Sequence, residues 1–146
     1  MLRSAVPPLC VVALAMAGCG GGDGEDAVTK SARKAAESYV HNLGARDGDA
    51  VCADMTKALR TQFTDTVGRA NPQVQGRPCG EIMTLALQSI PSDQLEAFSA
   101  AKIEQVKVTG SKGTFVYRLH DIRVDGQVAR EGGHWKVSCC VPGQDG

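Results

Sequence analysis

After residue 101 the apolar residues stop recurring every third or fourth position and begin to recur every second. That change of period divides the chain into a helical first part and a β-stranded last third. In the helical part, Val28, Ala32, Ala35, Ala36, Tyr39, Val40 and Leu43 mark one face, with Asp26 as the N-cap and Gly44 as the expected C-terminal cap. Asp47 opens a second helix carrying Val51, Cys52, Met55, Leu59 and Phe63, which Thr56 restarts after a bend. From Asp65 to Pro78 the residues Gly68, Asn71, Pro72, Gly76 and Pro78 break the period. A third helix is expected over Cys79 to Ile90, with Ile82, Met83, Ala86, Leu87 and Ile90 facing inward, followed by a short helical stretch over Asp93 to Ala101.

In the β part, Val106 and Val108 lead to a turn at Gly110-Ser111-Lys112-Gly113. Phe115, Tyr117 and Leu119 then face one way, with Val116, Arg118 and His120 the other. Asp125-Gly126 predicts a two-residue hairpin between Ile122, Val124 and Val128. Gly132-Gly133 predicts another, leading into Trp135, Val137 and Cys139. Helices segregated from strands give an α+β fold, with the helices packed on one side of a curved four-stranded antiparallel sheet.

The first 18 residues read differently. Arg3 is the only charge, a mostly apolar run ends in Ala17 and Gly18, and the run is shorter than the roughly 20 residues that cross a bilayer. Met16-Ala17-Gly18-Cys19 resembles a bacterial lipobox, which implies cleavage before Cys19 and lipidation of that residue, the first of the mature chain, with palmitate-like chains. Met16 stands where leucine is usual, and Pro7 and Pro8 interrupt the apolar run. Plain secretion and an uncleaved anchor are the other readings. Residues 19–26, rich in Gly20, Gly21, Gly22 and Gly24, form a tether, residues 27–142 the domain and residues 143–146 a polar tail. The expected location is the extracytoplasmic face of the cell membrane.

Removing residues 1–18 from the 146 leaves 128, enough for one domain. The 16 basic and 16 acidic side chains balance in the full chain, and losing Arg3 leaves a formal charge of −1. No basic block is present, which argues against nucleic acid as a partner. Cys10 leaves with the signal and Cys19 takes the lipid, so Cys52, Cys79, Cys139 and Cys140 remain for an oxidising compartment. Four cysteines allow three pairings; Cys52 with Cys79, both at helical positions, is the pair expected, with Cys139 and Cys140 left unassigned.

The run Tyr39-Val40-His41-Asn42-Leu43-Gly44-Ala45-Arg46-Asp47-Gly48-Asp49, then Cys52, then the meander closing on Gly133-His134-Trp135-Lys136-Val137, resembles the nuclear transport factor 2-like (cystatin-like) superfamily, and within it small bacterial lipoproteins of unassigned activity. That resemblance implies a cone in which the sheet wraps the first helix and leaves an apolar pocket at its open end. The same fold hosts isomerase-like and polyketide cyclase-like enzymes as well as binding modules, so fold alone does not decide function.

An enzyme of that kind needs a base and an oxyanion donor, for which Tyr39, Asp54, Tyr117, His120 and Asp121 are the candidates. None stands in an identifying spacing. His120 and Asp121, as adjacent strand residues, point apart and are expected at a bulge. His41, His120 and His134 are too scattered to predict a metal site, and no phosphate loop or nucleophile elbow predicts a cofactor or acyl transfer. The residues expected to line a pocket are Tyr39, Met55, Phe63, Tyr117, His120 and Trp135, with Trp135 more readily core than stacking platform. Arg118, Arg123 and Arg130 lie along the meander, where a solvated face is expected. The sequence therefore predicts an anchored binding or interaction domain without a catalytic set. Its expected partners are the membrane, through the lipid, and a small apolar ligand or an envelope protein. A copy of itself paired through the sheet is the structural alternative.

Overall fold

A computed structural model describes residues 24–139. The signal segment with Cys10, the proposed lipid site Cys19, most of the glycine tether, Cys140 and the polar tail lie outside the described residues. The elements are α1 (Ala27–Gly44), α2 (Gly48–Asp54), α3 (Lys57–Ala70), a 3-10 turn (Pro72–Val74), α4 (Cys79–Gln88), α5 (Ser92–Ala100), β1 (Ile103–Thr109), β2 (Lys112–Leu119), β3 (Ile122–Glu131) and β4 (His134–Cys139). The strands form one open antiparallel sheet in the order β1-β2-β3-β4. The fold is α+β, with five helices where the spacing alone suggested three and a short fourth.

The helix starts follow local chemistry. Asp26 accepts from Thr29 N at 2.8 Å, Asp47 from Ala50 N at 3.0 Å, and Thr56 Oγ1 from Leu59 N at 3.3 Å, each satisfying an amide that the first helical turn leaves unpaired. Thr56 therefore begins a separate helix instead of resuming a bent one. α1 packs on all four strands, burying Ala32, Ala36, Tyr39, Val40 and Leu43. Two alanines on that face let the sheet approach the helix closely. Val28, predicted on the buried face, is 46% exposed because the first turn projects past the packed layer.

Gly44 does not cap α1. It stays helical, and a Cβ there would overlap Ser99 of α5, so it permits the α1–α5 contact, while Arg46 takes the left-handed conformation at φ 58°. Gly48 and Gly80 serve the α2–α4 crossing in the same way: a Cβ on Gly48 would sit 2.5 Å from Gly80 O, and one on Gly80 would overlap Asp49. The same two helices are joined by Cys52–Cys79, across Cα atoms 6.1 Å apart and 27 residues of sequence. Cys139 is disulfide-bonded as well.

Further sequence expectations are corrected. The break expected from Asp65 begins later, since α3 continues to Ala70 with Gly68 buried against Gln75. The hairpin expected at Asp125-Gly126 is absent, because β3 runs straight through both residues. The β2–β3 turn is instead His120-Asp121, closed by the Leu119–Ile122 pair, with His120 left-handed at φ 53°. His120 and Asp121 are thus turn residues, not a bulge. Gly132-Gly133 makes the β3–β4 turn as predicted, with φ of 58° and 82°, values open to glycine without strain.

The far edge of β4 is covered. Met55 bridges Val137 in parallel, Thr56 N donates to Val137 O at 2.8 Å, and Glu131 accepts from Lys57 N at 3.1 Å. The α2–α3 joint so pairs with a strand whose edge would otherwise be exposed.

Candidate functional site

The interior beneath α1 holds two phenols. Tyr39 is fully buried and Tyr117 is 1% exposed, and neither hydroxyl has a hydrogen-bond partner. Tyr117 stacks on Phe115 with ring centroids 6.0 Å apart. Burial, then the neighbouring Tyr117 and the Asp54 carboxylate, push the Tyr39 hydroxyl far above its usual range; burial pushes Tyr117 up to about 12. Both are neutral donors at physiological pH. Asp54, at the end of α2, is half-buried and accepts from Ser38 Oγ at 2.9 Å and Asn42 Nδ2 at 2.8 Å. Ser38 and Asn42 stand four residues apart on α1, the spacing that sets two side chains over one patch of helix surface.

The six residues expected to line a pocket divide sharply. Tyr39, Met55, Phe63, Tyr117 and Trp135 are members of one packed core with Phe115, Val128 and Val137, while His120 is exposed in the β2–β3 turn. Tyr39, Asp54 and His120 are therefore not neighbours in one pocket: two belong to the α1 layer and the third to a surface turn. His41 and His134 are also exposed. Among the described residues Thr56 is the one polar residue in the buried set apart from the tyrosines, and its hydroxyl is used as the α3 cap.

Concave surface lies instead beside α5. A groove of about 360 Å³ runs between α1, α5 and β1, lined by residues that include His41, Phe98 and Lys102. A second, of about 550 Å³, lies on the other side of Ala101 and Lys102, with Asp93, Glu96, Arg118 and His120 on its rim. Arg118 is committed to Glu104 at 2.9 Å and Arg123 to Asp125 at 2.9 Å, both exposed pairs of the solvated face expected there. Among the described residues no group of three or more His, Cys, Asp or Glu side chains is arranged to hold a metal, and no helix is long and apolar enough to cross a membrane.

Sequence reasoning missed one cluster. Arg33 on α1 binds the Glu25 carboxylate through Nε at 2.9 Å and Nη2 at 2.7 Å, and Nη1 donates to Ile103 O at 2.6 Å. The hydrogen bond from the arginine lowers the Glu25 carboxyl below its ordinary value. The Ile103 carbonyl is 70 residues away, so no local spacing announces the contact.

No family model, curated protein or solved structure matches the chain.

Proposed function

We propose that this chain is a membrane-anchored lipoprotein of the cell envelope, acylated at Cys19, whose domain binds an envelope partner without catalysis. The anchor reading rests on the lipobox-like Met16-Ala17-Gly18-Cys19 after an uncharged apolar run, and the Cys52–Cys79 disulfide suits an oxidising compartment. The observation that supports the non-catalytic reading is the filled interior: Met55, Phe63, Phe115 and Trp135 pack together in one buried core. Among the concave surfaces of the described residues, the pair of grooves flanking Ala101 and Lys102 is the one we assign to a partner. The test is metabolic labelling with an acyl precursor: the wild-type chain takes up label and enters the membrane fraction, and Cys19→Ser does neither. Label retained by Cys19→Ser, or absent from the wild type, overturns the anchor.

One observation favours a second reading, an isomerase- or cyclase-like enzyme. Two buried hydroxyl donors without partners, Tyr39 and Tyr117, are the kind of group that stabilises a developing oxyanion. A phenolate-type probe taken up by the wild-type domain and lost in Tyr39→Phe supports it. No uptake removes it.

A further inference from the structure

The chain leaves the domain at a fixed point. Glu25 is held by the Arg33 guanidinium, and the same guanidinium holds Ile103 O at the start of β1, with both charged side chains about three-quarters covered. Glu25 is six residues after Cys19, a span of at most about 20 Å even fully extended. A lipid on Cys19 therefore keeps the clamped end of the domain within that distance of the bilayer.

The strand register identifies what else lies at that end. Ile103 pairs with Tyr117, and two residues further along β2 the hairpin closes on the Leu119–Ile122 pair, about 7 Å beyond that rung. Ile122 is 68% exposed, the most exposed of the large apolar side chains among the described residues. Val28, 46% exposed, stands three residues after Glu25 in the first turn of α1. The third such residue, Leu85, is on α4 and lines a depression with Asp49, Arg77 and Glu81, away from the clamp. Charges near the clamp are mixed in sign: Arg118 pairs with Glu104, Arg123 with Asp125, and Lys30 stands near Glu25 and Asp26.

We propose that this end of the domain, comprising the first turn of α1, the start of β1 and the β2–β3 hairpin, docks on the surface of the bilayer that holds the lipid, with Ile122 and Val28 entering the boundary between headgroups and acyl chains. The inference rests on the anchor reading above. The mixed charge leaves the apolar side chains and the short clamped tether to set the orientation.

The test uses the full chain extracted from membranes and reconstituted in phosphatidylcholine vesicles with brominated acyl chains, which quench tryptophan by contact. Both substitutions sit at exposed positions that the core does not depend on, and the buried Trp135 supplies a constant baseline in each sample. Ile122→Trp is expected to lose roughly half of its added emission to the brominated lipid, and Leu85→Trp almost none. Equal quenching at 122 and 85 on protein that carries lipid by mass overturns the docking alone. Protein without lipid overturns the anchor and the docking together. A bound protein that shields Ile122 from the vesicle, seen as quenching only after its removal, also overturns docking as the native arrangement.

Discussion

Phe115 on β2 lies directly opposite Gly126 on β3, and its ring occupies the space a Cβ at residue 126 would need. A glycine read as the second residue of a turn is instead the gap in a continuous strand that lets an aromatic side chain lie flat across it. Gly126→Ala is predicted to displace the Phe115 ring and its stacking on Tyr117, costing about 1–3 kcal/mol. Equilibrium denaturation in urea checks this. Moving the turn residues has a smaller effect: His120→Gly relieves a left-handed backbone and is expected to be neutral or slightly stabilising.

That pair also explains what was readable in the sequence. The division into helices and meander, the caps at Asp26 and Asp47 and the Gly132-Gly133 turn depend on residues close in sequence, the Cys52–Cys79 pairing follows from the cysteine inventory, and the structure has each of them. The errors occur where a residue on another element decides. Asp125-Gly126 is a good turn by itself, but Phe115 makes it strand. Gly44 is a good helix stop by itself, but Ser99 makes it a packing surface. The candidate site was legible as a list of aromatic and polar residues, not as an arrangement. Whether Tyr39 and Trp135 line a pocket or fill a core depends on how closely α1 approaches the sheet, which Ala32 and Ala36 permit and no single window of sequence states.

The disulfide closes 27 residues across the α2–α4 crossing. In the chain-entropy view its removal by Cys52→Ala with Cys79→Ala costs roughly 3 to 4 kcal/mol. The loss is to be read as a lower denaturation midpoint, with a steeper slope because the unfolded chain expands once the cross-link is gone.

Tyr39 and Tyr117 carry hydroxyls that burial leaves unpaired. Replacing either with phenylalanine removes an unmet polar group, and the variant is expected to be as stable as the wild type or up to about 1 kcal/mol more stable. The hydroxyls also set an alkaline limit. Because folding raises their pKa, their contribution is complete below the ordinary value of 10.0 and is lost as the pH rises through the folded value, about 12 for Tyr117. Unfolding monitored across that window is expected to shift to higher pH in the double Tyr39→Phe, Tyr117→Phe variant.

The Glu25–Arg33 clamp has the opposite sign. Its carboxyl is depressed below the ordinary 4.5, so the clamp is complete above that value and is lost as the pH falls through the lower folded one. A nuclear magnetic resonance titration of the Arg33 side-chain Nε–H is expected to move only below pH 4.5, and to be flat in Glu25→Gln.

Intact mass of the protein extracted from its own membranes tests lipid anchoring most directly. Anchoring predicts a chain beginning at Cys19, heavier than residues 19–146 by its acyl groups and lighter by the hydrogens that the Cys52–Cys79 and Cys139 disulfides remove. A full-length species beginning at Met1 with no acyl mass would contradict it.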